Sequence, residues 1–158
     1  ATKRPDKVVG IHFFNPAYAM KLVEVISGKQ TSEDTRKIAN DFTISLEKEP
    51  VQVKDTPGFI VNRILGAALG EAIYLLEEGI ASPKDIDKAC VLGLNWPMGP
   101  IALADFVGLD VVYHSGEAVS EVLGEDYLRK RSKPSKLLEE KVKAGQLGVK
   151  TRKGFYEY

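Results

Sequence analysis

The chain has 158 residues, 44% apolar and 28% charged, and its 22 basic and 22 acidic side chains cancel. That is the composition of an ordinary globular protein of one domain or two small ones, and it excludes a disordered, collagenous or strongly basic nucleic-acid-binding chain. Cys90 is the only cysteine, so no intrachain disulfide forms and a reducing, cytoplasmic setting is expected. No apolar run approaches membrane-spanning length, and residues 1–10 lack the apolar core of a secretory signal, so no membrane partner is expected. Charge is uneven, however: residues 125–153 hold ten basic and four acidic side chains, a local +6. Such a run meets a phosphate-bearing ligand in some proteins and is a solvated helical face in more of them.

The first fifty-odd residues read as mixed α and β. Segments 8–14 (VVGIHFF) and 21–26 (KLVEVI) are short and rich in β-branched and aromatic residues, as strands are. Thr31 is read as a helix cap, with Asp34 as a capping-box variant, and Ile38, Ala39, Phe42 and Leu46 give that helix one apolar stripe. Pro50 is expected to end it, and residues 51–53 (VQV) to form a short strand. A β-β-α-β order with no earlier half reads as the tail of an α/β sheet rather than a complete one, because an intact doubly wound domain needs more βα units than fifty residues hold.

Beyond Lys54 only helices are expected. Thr56-Pro57 pairs a capping hydroxyl with proline at the first helical position, and Ile60, Ile64, Ala68, Ala72 and Leu76 follow at four-residue steps until Gly79. Gly66 and Gly70, one turn apart, leave room for a second helix to approach. Ser82-Pro83 starts the next helix, which Gly93 ends, and Pro100 opens another. Asp110 is read as the cap of a helix running to Leu123 and Gly124, and Lys133-Pro134 as the start of the last one. The ending GFYEY is compact and aromatic and is expected to pack back on the body.

The chemistry-bearing residues are few. With two histidines, His12 and His114, and one cysteine, no metal site is expected. No GxGxxG or Walker pattern occurs among the fourteen glycines, so no nucleotide phosphate loop is encoded. His12 sits in the first strand, where a core histidine with one hydrogen bond is the plain reading. Glu24 sharpens it, since a carboxylate in the middle of KLVEVI is costly unless paired. If the two strands are neighbours, Glu24 can hold one imidazole nitrogen and leave the other free as a general base. Asn62 follows the turn Asp55-Thr56-Pro57-Gly58 at the α/β-to-helical junction, a favoured place for ligands.

Together GIHFFNP (10–16), MKLVEVI (20–26), KDTPGFIVNRIL (54–65), WPMGP…DFVGLD (96–110) and the ending KTRKGFYEY resemble the 3-hydroxyacyl-CoA dehydrogenase family. The resemblance covers essentially the whole chain. It implies a mainly α protein: a helical C-terminal domain, 6-phosphogluconate dehydrogenase C-terminal-like, over residues 55–158, preceded at 1–54 by the last β-β-α-β part of a truncated dinucleotide-binding α/β sheet. It also implies NAD as cofactor, with the main phosphate-binding part absent from this chain, and a 3-hydroxyacyl-CoA substrate oxidised in fatty-acid β-oxidation. By the same resemblance His12 is the catalytic base, Glu24 its carboxylate partner and Asn62 the active-site asparagine. Asn15 matches an asparagine near the nicotinamide end of NAD, and Lys150 a lysine near the cofactor. The family's serine upstream of the histidine has no match, because its position would precede Ala1. Tyr18 replaces a proline common in the family, and GAALG after Arg63 is smaller than usual; both bear on packing or acyl-chain fit.

The family pairs through its helical domains, and the wide apolar arcs of the helices suggest the same: a homodimer held by residues after about 55. Two rival readings remain at this point. One is a non-catalytic helical dimerisation and acyl-CoA-docking module; the other is a segment of a multifunctional β-oxidation protein.

Overall fold

A computed structural model describes residues 2–123 and 134–158. The chain divides into two compact units, residues 1–60 and 61–158.

In the first unit β1 (Val9–Phe13) and β2 (Leu22–Ser27) are antiparallel, and β3 (Glu49–Lys54) lies parallel to β2 on its other side. The helix α1 (Glu33–Ser45) makes the crossover that two parallel strands require. Val23, Val25 and Ala39 form the core with Val9 and Ile11 packed on it, so the central strand and one face of α1 supply most of the apolar burial. Thr43 is also buried there, its hydroxyl satisfied by donating to Ala39 O at 2.8 Å.

The expected elements are present, with shifted ends. Ser32, not Thr31, caps α1 by accepting from Thr35 N at 3.2 Å. The Thr31 hydroxyl is taken up elsewhere, donating to Val8 O at 2.7 Å. The helix stops at Ser45, before Pro50, which lies inside β3. The segment 56–60 is a tight turn rather than the start of a helix, because Gly58 and Phe59 have positive φ values of 73° and 47° that a right-handed helix cannot accommodate.

The second unit is helical: α2 (Val61–Glu77), α3 (Pro83–Gly93), α4 (Pro100–Val107), α5 (Leu109–Leu123) and α6 (Lys136–Lys143). Ser82 caps α3 ahead of Pro83, as expected, and Pro100 opens α4. Asp110 stands in the first turn of α5 rather than at its cap. Ser135 caps α6 by accepting from Leu138 N at 3.1 Å. Gly124 and Lys133, expected as a helix end and a helix start, lie outside the described residues, as does part of the basic run.

Ala72, Ile73, Ile86, Ile101, Ala104, Leu109 and Leu138 form the core of this unit. On α2 the buried residues are Leu69, Ala72 and Ile73, so only the second half of the expected stripe is core. The C-terminal segment folds back onto α4 through Asp105, 1% exposed, whose carboxylate accepts from Phe155 N, Tyr156 N and the Tyr158 hydroxyl at 3.0 Å each. Asp87 receives the Tyr156 hydroxyl at 2.7 Å and the first amides of α4, Ile101 N and Ala102 N. Two close approaches need glycine: a Cβ at Gly154 would run into the Asp105 carboxylate, and one at Gly99 into Asp87. Among the described residues no helix is long and apolar enough to cross a membrane.

Candidate active site

The β1–β2 register places His12 directly opposite Glu24. Directly opposite residues of an antiparallel pair project from the same face, close enough to touch. His12 Nδ1 lies 2.8 Å from Glu24 Oε2. The carboxylate is 0% exposed, and its other oxygen, Oε1, accepts the backbone N–H of Ile60 at 3.0 Å. A buried carboxylate is tolerated when both oxygens are satisfied, and these two donors do that.

An ionised carboxylate only accepts, so Nδ1 must carry a hydrogen and donate it. In the neutral ring Nε2 then keeps its lone pair. The His12 side chain is 28% exposed, far more than its partner, so the ring can meet a ligand while its anchor stays dry. The Phe14 ring lies 4.6 Å from the imidazole between centroids, and the Phe59 ring 5.5 Å. Both rings are tilted against the imidazole, at 55° and 51°. Phe14 stands two residues beyond His12, one past the end of β1. Phe59 reaches the ring from the tight turn, where its own N–H donates to Thr56 O at 3.0 Å.

Asn15 is exposed and follows Phe14, just beyond the end of β1; the Asn15–Pro16 peptide is cis. The structure therefore brings His12 and Glu24 into contact, with Asn15 three residues along the same chain segment. Asn62 and Lys150 belong to the helical unit. Asn62 is the second residue of α2 and exposed. Lys150, in the short 3-10 turn Val149–Thr151, forms an ion pair with Asp110. Hydrogen bonding to Lys150 holds the Asp110 carboxyl below its ordinary range. The described residues contain no group of three or more His, Cys, Asp or Glu side chains that could hold a metal.

Three contributors to the site have weak or no sequence signals. Phe14 is close to His12 in the chain but lies one residue past the end of β1, where strand periodicity no longer places it. Phe59 and the Ile60 amide are not legible, because their placement depends on two consecutive left-handed residues in the turn.

A partly exposed strand-borne histidine anchored on a buried carboxylate, in an α/β unit followed in the chain by a helical one, is an arrangement able to take up a proton. Comparison with known proteins is specific. Residues 58–158 match the family described as 3-hydroxyacyl-CoA dehydrogenase, C-terminal domain, and residues 1–56 match 3-hydroxyacyl-CoA dehydrogenase, NAD binding domain. The chain belongs to the 3-hydroxyacyl-CoA dehydrogenase family.

Among its relatives, the 3-hydroxybutyryl-CoA dehydrogenase of Clostridioides difficile is 49% identical over 158 residues, covering 100% of this chain and 55% of that protein. The human mitochondrial hydroxyacyl-coenzyme A dehydrogenase is 48% identical, covering 100% of this chain and 49% of that protein. The crystal structure of FadB2 from M. tuberculosis superposes with a TM-score of 0.92 at 40% identity, over 99% of this chain and 54% of that one. The (S)-3-hydroxybutyryl-CoA dehydrogenase PaaH1 from Ralstonia eutropha gives 0.89 at 46% identity, over 99% and 54%. The chain spans about half the length of the curated relatives it matches.

Proposed function

We propose that this chain supplies the general base and the helical domain of an NAD-dependent 3-hydroxyacyl-CoA dehydrogenase, which oxidises 3-hydroxyacyl-CoA to 3-oxoacyl-CoA in fatty-acid β-oxidation. The observation that carries this reading is the His12–Glu24 pair, with the second carboxylate oxygen held by the Ile60 amide. His12 Nε2 accepts the proton of the substrate's 3-hydroxyl as hydride leaves the same carbon. The charge that develops on the imidazole is balanced by the Glu24 carboxylate, which is already oriented on Nδ1 and needs no reorganisation. Phe14 and Phe59 keep the ring in line for that transfer.

When bound, NAD supplies the hydride-accepting nicotinamide. The exposed amide of Asn15, beside the histidine in the chain, fits that end of the cofactor. The sequence has no glycine-rich turn to hold the pyrophosphate, so the residues present fit only the nicotinamide side. Asn62, as partner of the substrate's oxygen, and Lys150, as a charge near the cofactor, enter this reading through the family pattern. The division into a nucleotide-domain remnant at 1–54 and a helical domain at 55–158 enters in the same way. A reducing compartment such as the cytoplasm is what the lone Cys90 favours.

The test is His12→Gln in the full encoded protein, assayed for NAD-linked oxidation of 3-hydroxybutyryl-CoA. A positioned general base is worth about 10² to 10⁴ in rate, and kcat should fall by that factor while KM stays near the parental value. Retention of most of the parental kcat would overturn the assignment.

A further inference from the structure

The connection between β1 and β2, residues 14–21, is pinned by a side chain from elsewhere in the sequence. Lys48 Nζ donates to Ala17 O at 2.6 Å and to Met20 O at 2.9 Å. Between those carbonyls the connection makes one tight turn, with Ala19 N and Met20 N both donating to Pro16 O at 3.0 Å. A single turn leaves its last carbonyls without backbone partners, and the ammonium takes two of them. Among the described residues Lys48 has no ion pair, so these carbonyls are what its charge serves.

The lysine is delivered to that spot by its backbone. Helix α1 ends in a left-handed Glu47 (φ 57°), with Glu47 N donating to Ile44 O at 2.9 Å and Lys48 N to Thr43 O at 3.3 Å. This is the double-bonded helix stop in which the chain reverses over the last turn. One residue later Glu49 N donates to Lys21 O at 2.9 Å, which starts β3 alongside β2. The Lys48 backbone is therefore fixed on both sides, and its reach into the connection is set.

The connection begins at Phe14, whose ring packs on His12, and ends at Leu22, two residues before Glu24. All of residues 15–21 are exposed, Asn15 and Met20 among them and Tyr18 at 89%. At about 3.3 Å per residue, Asn15 stands within roughly 10 Å of His12 along the chain. The partly exposed His12 ring and the exposed Asn15 therefore belong to one short stretch of chain.

We propose that Lys48 is a positioning residue for ligand binding at His12: its ammonium holds the 15–20 connection in the one conformation that receives substrate and cofactor. This rests on the dehydrogenase reading above. Lys48 touches no reacting atom in this scheme. Without it, water can satisfy the Ala17 and Met20 carbonyls, so little global stability is lost, but the connection is free to wander.

The experiment compares Lys48→Met and Lys48→Arg in the full encoded protein with NAD and 3-hydroxybutyryl-CoA. For Lys48→Met, KM should rise about tenfold, the loss expected from one charge-assisted clamp, with kcat within about twofold and Tm within a few degrees. Amide exchange at Ala19 and Met20 should accelerate about tenfold or more while the β2 amides keep their protection. Lys48→Arg, which keeps the cation, should restore most of the parental KM. If Lys48→Met does not fold, Lys48→Gln, with a neutral donor of shorter reach, replaces it and should show the same KM-against-kcat split. Unchanged KM beside an active parent, or a change in Tm alone, would overturn the proposal and leave the dehydrogenase reading intact. A parent with no NAD-linked activity would overturn both.

Discussion

A glutamate in the middle of an apolar strand marks its own importance, because burial without partners would cost several kcal/mol. Glu24 is legible in the sequence for that reason, and the antiparallel register gives it His12 as partner. Its second partner is not legible, since the Ile60 amide reaches Oε1 only through the left-handed Phe59 that precedes it. The two bonds together make a test of mechanism possible. In Glu24→Gln the Oε1 position can still accept from Ile60 N, which turns the amide NH2 toward His12 Nδ1. Nδ1 must then accept, the ring proton moves to Nε2, and the base has lost its lone pair. We expect kcat to fall by about 10² to 10⁴ with the fold retained, measured by steady-state rates and a thermal melt on the same preparation. A variant with near-parental kcat would mean that the carboxylate does not set the tautomer.

At the scale of elements, the helix starts at Ser82-Pro83 and Pro100 are read correctly because cap and proline agree and nothing competes. The start at Thr56-Pro57 is read too early, because Gly58 and Phe59 are left-handed and the helix cannot begin before them. That turn sets Phe59 against the imidazole and the Ile60 amide on Glu24, and a regular helix would aim both elsewhere. Local rules fail most often where a site has been built at their expense. The C-terminal return is legible as an aromatic cluster, but its anchor, Asp105 inside an apolar helix, is not. That anchor has a pH consequence. Burial first, and then the hydrogen bond to the Asp105 carboxylate, push the Tyr158 phenol up to about 12. Burial and the bond to Asp87 push Tyr156 up further still. Each phenol ordinarily titrates near 10, so between about pH 10 and 12 the folded chain holds protons that the unfolded chain has released. Their stabilisation is complete below about pH 10 and is lost as pH rises. We expect Tm to decline through that window, and the decline to be shallower in the Tyr156→Phe, Tyr158→Phe double variant. Equal slopes in thermal melts would show that the clasp does not hold the phenols protonated.

For the whole molecule, composition alone indicates an ordinary globular chain, and the order of motifs indicates the family; the apolar helix faces leave assembly as the open question. The expected stripe on α2 divides in the structure, with Leu69, Ala72 and Ile73 in the core and Ile64 67% exposed. Periodicity shows that a face is apolar, but not whether its own chain covers it. Elsewhere in the helical unit Leu92 is 74% exposed, Phe106 67% and Val122 68%. A Cβ added at Gly66 would meet nothing within 4 Å, so the α2 surface around it is open to close approach. Single exposed apolar residues are normal, but several large ones spread over α2, α3, α4 and α5 of one small unit exceed what scatter requires. A second copy of the chain is the simplest cover, because a two-fold axis sets identical apolar faces against one another and closes the assembly at two. We therefore expect a homodimer formed through residues after about 55, with a light-scattering mass at micromolar concentration of twice 17.4 kDa. Phe106→Lys should shift that mass toward the single chain while leaving the helical circular dichroism in place, since the side chain is exposed within its own subunit. A mass of 17.4 kDa for the unaltered chain would mean that these faces are left to water or to another partner.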